Sequence, residues 1–378
     1  MPSSPPLAPS ADAAQRVTFL DVGATYRELR AEIDAAVARV LASGWYLIGA
    51  ELDAFEREYA AYVGATHCIG VANGLDALEL SLRALGVGPG DEVIVPSNTY
   101  IATWLAVTAV GARIVAVEPD PRTLNLDPER VADAITPRTR VLLPVHLYGA
   151  PADMRALATI AADRGVHVLA DAAQAHGARI DGRPVGAFGD VAAWSFYPSK
   201  NLGAFGDAGA ITTDDAALAD RLRVLRNYGA RSKYVNEVRG TNSRMEELHA
   251  AMLRVKLQRL DAWNARRTAQ AALYASLLAD RPVVLPDVPA WAESCWHLFV
   301  VRSAERDALQ ARLRARGVET LIHYPIPPHL QAAYADLGLA EGAFPISEQI
   351  HREVLSLPIG PHLTEEQIGY VAACVLDA

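Results

Sequence analysis

Cysteine is scarce in this sequence: only Cys68, Cys295 and Cys374 are present. The number is odd and no CxxC or His-paired spacing occurs, so neither a disulfide framework nor a structural zinc site is indicated. Three buried, apolar thiols are expected instead. The ten histidines form no HxH or HExxH pattern, so no metal site is expected, and His329, His351 and His362 read as scattered surface positions. Long apolar runs are missing too. The longest stretch, 101–117, is interrupted by Thr103, Thr108, Gly111 and Arg113 and cannot cross a bilayer. A formal net charge of -9 leaves no basic stripe for a phosphate backbone or an anionic membrane. Neither nucleic acid nor a membrane is expected as a partner. Residues 1–15 hold no Lys, no Arg and no apolar run, which excludes a secretory signal and predicts a frayed tail in a cytoplasmic protein.

With 51% hydrophobic and 21% charged residues, the composition is that of an ordinary globular chain, and 378 residues suffice for one large domain and a smaller one. Apolar residues at Leu29, Ile33, Val37 and Val40, followed by Gly44, predict an amphipathic helix over 26–42 with a glycine stop. A second helix follows Asn73-Gly74, with Leu75, Leu78, Leu82 and Leu85 on one side. Short apolar runs at 92–95, 113–118, 140–146, 167–171 and 191–197 then alternate with helical patterns. That alternation predicts an α/β fold with a doubly wound, mainly parallel sheet. One long helix is expected over 245–279, bridging to a smaller α+β C-terminal domain with strands at 295–301 and 319–323 and helices at 305–316 and 365–376. The expected division is a tail at 1–15, a large domain at 16–260 and a small domain at 261–378.

Two short segments carry the chemistry. The run at 167–170 delivers Asp171 at its carboxyl end, within Asp171-Ala172-Ala173-Gln174-Ala175-His176-Gly177. Open α/β sheets place ligand contacts at such strand ends. Taken alone, Asp171 reads equally well as a helix N-cap. Further on, Ser195-Phe196-Tyr197-Pro198-Ser199-Lys200-Asn201 ends a strand in a proline-broken loop bearing a lysine. A solitary loop lysine is normally a solvated one. Together the pair changes the reading, because pyridoxal chemistry needs a carboxylate that keeps the pyridine nitrogen protonated and an amine that condenses with the aldehyde. The amine must also move a proton between carbons, a task helped by lowered basicity.

These segments resemble the DegT/DnrJ/StrS family of nucleotide-sugar aminotransferases, fold type I pyridoxal-phosphate (PLP) enzymes. The resemblance extends from Phe19-Leu20-Asp21 through Gly44-Trp45-Tyr46 to Leu357-Pro358-Ile359-Gly360. It implies that Lys200 is the catalytic Schiff-base lysine, that Asp171 meets the ring nitrogen and that Gln174 neighbours the ring hydroxyl. Gly74 and Leu75 would receive the cofactor phosphate on helix N-terminal amides, with the Ser195 hydroxyl beside them. Many relatives have Thr where this chain has Leu75, which removes one hydroxyl, and Asp76 adds a negative charge nearby. Tyr100 takes the position of the aromatic that stacks on the cofactor; its alternative is a core tyrosine. Asn242, in Gly240-Thr241-Asn242-Ser243-Arg244, resembles the residue lent by a second subunit, which implies a homodimer with shared active sites; by itself it also reads as a helix cap.

For substrate, Tyr197, Lys233, His323 and Tyr324 resemble the subgroup that acts on 3-keto sugars. Lys233 is a charge for the nucleotide diphosphate, while His323 and Tyr324 hydrogen-bond the hexose or assist proton transfer. A surface lysine and aromatics of the small domain are the alternatives for these positions. The implied reaction moves an amino group from L-glutamate to a dTDP-3-keto-6-deoxyhexose, with pyridoxamine phosphate during turnover. Amination at C4, a keto-inositol substrate, and a sugar dehydratase or a sensor built on the same scaffold are the competing classes. Dehydratases carry histidine where this chain has Lys200, and a sensor would be expected to have lost Asp171 or Lys200. Arg231 and Arg244 are candidates for the glutamate carboxylate. The glycine-rich run 203–209 precedes a strand rather than a helix and is no dinucleotide fingerprint.

Overall fold

The computed structural model describes residues 16–279 and 281–376; the expected N-terminal tail lies outside the described residues. Seven strands form the central sheet: β1 (His67–Val71), β2 (Glu92–Pro96), β3 (Arg113–Val117), β4 (Thr139–Leu142), β5 (His167–Asp171), β6 (Val191–Ser195) and β7 (Gly209–Thr213). Their spatial order is β1-β7-β6-β5-β4-β2-β3, and all run parallel except β7, which pairs antiparallel with both β1 and β6. The fold is therefore the expected α/β arrangement. β2 is buried along its whole length, as a strand covered on both faces by helices must be. Ile94 and Trp194 enter one core layer, whereas Val93, Val95 and Ala193 enter the other.

A separate C-terminal core gathers Tyr274, Phe299, Val301, Leu313, Leu355, Leu357 and Ile368 around a two-stranded ladder, Phe299–Arg302 with Val354–Leu357. Val17 joins this core and bridges Val318, so the start of the described chain packs with its end. We propose that the boundary between the two units falls near the start of the helix Leu260–Leu278. Leu260 belongs to the large core and Tyr274 to the small one.

Several expected elements differ from those observed. The helix over 26–42 divides at Leu29, whose φ of -115° and ψ of 24° leave the helical region, giving Ala24–Glu28 and Arg30–Ser43; Gly44 ends it at a φ of 66°. The long helix over 245–279 is two, Glu247–Leu257 and Leu260–Leu278, because the chain turns at Gln258 and Arg259 to bury both Lys256 and Leu260. The strand expected from 295 begins only at Phe299: Cys295 and Leu298 donate instead to the carbonyls of Gly149 and Tyr148. The segment 319–323 is not a ladder strand and keeps a single bridge, Leu321 to Ser356.

Two of the three histidines read as surface positions are in fact buried. His329 bonds Glu348 at 3.0 Å, and His351 bonds the Tyr324 carbonyl at 2.7 Å. His362 is half-buried beside Glu28. All three cysteines are free and buried, as expected. Among the described residues no helix is long and apolar enough to cross a membrane.

Candidate active site

Strands β5 and β6 run parallel in register, with Asp171 opposite Ala193, so the carboxyl ends of both open on the same edge of the sheet. Asp171 closes β5 at 6% exposure. Thr103 donates its hydroxyl to Asp171 Oδ2 at 2.9 Å, and the Ala173 N–H reaches Oδ1 at 3.2 Å. Burial raises the Asp171 pKa, opposed by these two bonds and by the charge of Lys200. The N-cap alternative for Asp171 fails, because no helix begins there.

Lys200 follows β6 in a tight loop closed by its own N–H, which donates to the Tyr197 carbonyl at 2.8 Å. The side chain is half-buried. Loss of water around the amine pushes its pKa down to about 8, although the Asp171 carboxylate pulls it upward. Asn201 anchors the loop: its side-chain N–H groups reach Asn264 Oδ1 at 2.9 Å and the Cys295 carbonyl at 2.8 Å, and His297 Nδ1 lies 3.2 Å from its oxygen.

Gln174 sits one turn beyond Asp171. Its side-chain oxygen accepts the Tyr148 N–H at 2.5 Å, so its nitrogen faces the site and donates to the Tyr324 hydroxyl at 3.1 Å. Tyr324 and Tyr100 pack ring to ring at 5.0 Å. Tyr100 is 51% exposed, which rules out a core tyrosine. His323 Nδ1 lies 2.8 Å from Ser356 Oγ, and burial pushes its pKa down to about 4, with Lys200 contributing. The imidazole is neutral at ordinary pH.

The helix Gly74–Ala84 begins at the same edge. Asn73 caps it by accepting the Asp76 N–H at 2.8 Å. Among the described residues the N–H groups of Gly74 and Leu75 meet no acceptor, leaving two donors at a helix N-terminus, the arrangement that receives anions. A Cβ on Gly74 would lie 2.7 Å from Ser195 Cβ, and one on Gly209 would lie 2.3 Å from the Asn73 carbonyl oxygen. Only glycine permits the helix start and the end of β6 to approach this closely. Leu75 turns its side chain into the core, so its contribution here is its backbone.

The structure thus gathers Gly74, Leu75, Tyr100, Asp171, Gln174, Ser195, Lys200, His323 and Tyr324, with Tyr197 exposed on the lysine loop. Lys233 and Asn242 are outside this cluster: both are exposed, and the Lys233 amine packs over Tyr234 at the tip of a hairpin. Asn242 is not a helix cap either, since the next helix starts after Glu246. Arg231 is engaged by Asp220 and Glu237. Among the described residues no partner meets the buried Nε of Arg244.

Nothing local in the sequence marks Thr103 or Tyr148 as a site residue, and Gly209 is marked only as the end of a glycine-rich run. One compositional signal was available. The chain has three lysines, Lys200, Lys233 and Lys256, against 35 basic residues in all, so a lysine at a sheet edge is itself conspicuous.

The donor set fits PLP: a buried carboxylate, an amine of lowered basicity, an amide donor, an exposed aromatic ring and two unpartnered N–H groups at a helix N-terminus. The DegT/DnrJ/EryC1/StrS aminotransferase family model matches residues 27–376. The chain is 60% identical to the erythromycin biosynthesis sensory transduction protein EryC1 of Saccharopolyspora erythraea, over 94% of this chain and 98% of the relative. It is 58% identical to the dTDP-3-amino-3,4,6-trideoxy-alpha-D-glucose transaminase of Streptomyces venezuelae, covering 96% and 95%. It is 52% identical to the dTDP-3-amino-3,6-dideoxy-alpha-D-galactopyranose transaminase of Aneurinibacillus thermoaerophilus, covering 95% and 98%. The crystal structure of S. venezuelae DesV in complex with a ketimine intermediate superposes with a TM-score of 0.95 at 58% identity, covering 96% of this chain and 98% of that one.

Proposed function

The chain belongs to the DegT/DnrJ/EryC1/StrS aminotransferase family, and we propose that within it this protein transfers the amino group of L-glutamate to the C3 keto group of a dTDP-3-keto-6-deoxyhexose. The products are 2-oxoglutarate and a dTDP-3-amino-3,6-dideoxyhexose. The observation that carries the reading is the meeting of Asp171 and Lys200 at adjacent strand ends, each perturbing the other's titration. The preference for C3 is supported by two transaminase relatives named for 3-amino sugars.

PLP, when bound, supplies an aldehyde and an electron-withdrawing ring. The protein's part is to hold and to move protons. Lys200, with a pKa near 8, has a substantial neutral fraction at ordinary pH and therefore serves both as nucleophile and as proton carrier. Asp171, fixed by Thr103, presents a carboxylate to the ring nitrogen. Gln174 offers only N–H toward the ring hydroxyl, because its oxygen is taken by the Tyr148 N–H. Gly74, Leu75 and Ser195 hold the phosphate, and Tyr100 forms the wall against the ring.

On the substrate side, His323 and Tyr324 line the hexose site and Tyr197 borders it; Lys233, at its hairpin tip outside the cluster, is the charge assigned to the diphosphate. The exposure of Trp45, Tyr46, Leu47 and Ile48 supports a homodimer, in which Asn242 of each chain completes its neighbour's phosphate site. The protein works in the cytoplasm.

The test is product analysis. Purified enzyme with PLP, L-glutamate and a dTDP-3-keto-6-deoxyhexose should yield 2-oxoglutarate and a sugar whose new amine NMR locates at C3. Amination of a dTDP-4-keto sugar in preference would overturn the assignment of position.

A further inference from the structure

Tyr148 lies in the turn Leu147–Gly149, with a φ of 60° and a ψ of 8°. This is the left-handed region, which a bulky L side chain adopts only when its surroundings demand it. The demand is visible. The Tyr148 N–H donates to Gln174 Oε1 at 2.5 Å, its hydroxyl donates to the His323 carbonyl, and its own carbonyl accepts the Leu298 N–H at 3.2 Å. Gln174 Nε2 then donates to the Tyr324 hydroxyl at 3.1 Å, and Tyr324 is covalently joined to His323. The loop is closed: Tyr148 to Gln174, Gln174 to Tyr324, Tyr324 to His323, and His323 back to Tyr148. Its members come from three distant segments of the chain, and Tyr148 itself is 9% exposed.

Two consequences follow from hydrogen-bond chemistry. With its oxygen committed to an N–H, the Gln174 amide cannot flip without setting NH2 against N–H, so it faces the site as a donor only. The Tyr324 hydroxyl, in accepting from Gln174, keeps its own proton for another acceptor. Burial also raises the pKa of the Tyr148 phenol, so its proton stays in place over the working range.

We propose that Tyr148 is a positioning residue: its backbone N–H locks the Gln174 amide as a donor, and its hydroxyl ties that locked amide to the His323–Tyr324 wall, the tie being what sets the sugar side. The cofactor side and the sugar side are then set as one unit. The proposal rests on the functional reading above, in which Gln174 faces the cofactor and His323 and Tyr324 face the sugar. It adds that contact with the sugar at His323–Tyr324 reaches Gln174 by two routes, directly at the Tyr324 hydroxyl and through Tyr148 from the His323 carbonyl.

The test uses Tyr148→Phe in the full-length protein, which retains the ring and the backbone N–H and removes only the hydroxyl. Three quantities are compared with wild type: bleaching of the cofactor band by L-glutamate, the dissociation constant of dTDP-glucose as a non-reacting probe, and the melting temperature of the cofactor-free protein. Loss of one hydrogen bond predicts dTDP-glucose binding weaker by about 3- to 10-fold, with the sugar half-reaction slowed more than the glutamate half-reaction. Equal binding in variant and wild type would overturn the proposal, as would equal slowing of both half-reactions with a lowered melting temperature, the signature of a merely structural role.

Hydrogen exchange on the wild type needs no variant. Adding dTDP-glucose should slow exchange at 146–150 together with 321–326, and slowing confined to 321–326 would contradict the coupling. If wild type is neither bleached by glutamate nor able to aminate a keto sugar, the functional reading falls and this proposal with it. If wild type does both, the variant and the exchange pattern decide.

Discussion

Thr103, in the helix Ile101–Ala109, donates its hydroxyl hydrogen to Asp171 Oδ2 across 2.9 Å, joining the start of that helix to the end of β5. The carboxylate is buried, and its pKa is raised above the ordinary 3.8, burial being the largest cause. A raised folded-state pKa gives stability that is fully present below the unfolded value and is lost as pH rises through the folded value. At pH 7 the ionised Asp171 is therefore a cost to folding in the cofactor-free protein. Asp171→Asn should melt no lower than wild type at pH 7 without cofactor, while turnover falls on the order of 10²-fold or more. A variant that is both less stable and fully active would contradict this account of Asp171.

Lys200 makes a prediction about pH. Its amine must be neutral to attack an aldehyde, and its pKa lies at about 8. The rate at which cofactor-free protein captures PLP should rise with pH, about tenfold per unit below that value, and level off above it. Stopped-flow absorbance between pH 6 and 9.5 measures the profile. A flat profile would mean that the amine is not the group that titrates.

The close approach of Gly74 to Ser195 leaves no room for a methyl group, since a Cβ would sit 2.7 Å from Ser195 Cβ. Gly74→Ala should cost about 1–3 kcal/mol through forced displacement and should weaken PLP binding, because the displaced groups are the helix N-terminus and the serine beside it. Calorimetric titration of the cofactor-free variant with PLP, paired with urea unfolding, measures both effects. Binding at wild-type strength would remove this helix start from the phosphate site.

Away from the site, Arg226 Nη1 donates to Glu56 Oε1 at 2.5 Å and to the Gly70 carbonyl at 2.7 Å, and Glu56 Oε1 also accepts the Gly70 N–H at 2.7 Å. This buried knot holds β1 just before the turn at Asn73 and Gly74. Arg226→Leu leaves the Glu56 charge buried without its partner and should destabilise by about 3–5 kcal/mol, seen as a lower urea midpoint. The double variant Arg226→Leu with Glu56→Leu should recover part of that loss.

Asp171 and Lys200 were legible in the sequence because Asp171 ends an apolar run that is itself a buried strand and Lys200 lies in the loop just after another, and the parallel sheet places both strand ends on one edge. Thr103 and Tyr148 were not legible. Their roles depend on partners 68 and 26 residues away, and neither periodicity nor local composition reports such contacts. His329 and His351 were misread for the same reason, since what buries them is pairing with Glu348 and with the Tyr324 carbonyl. The break at Gln258 and Arg259 escaped because apolar periodicity continues across it while the chain changes direction.

The most direct test of the central claim is borohydride reduction of the PLP-loaded protein followed by peptide mapping. Lys200, Lys233 and Lys256 are the chain's only lysines, and Lys256 is a demanding control because burial pushes its pKa to about 8 as well. The account predicts a pyridoxyl group on Lys200 alone, lost when L-glutamate is added before the reductant. A label on Lys233 or Lys256, or none on Lys200, would contradict it.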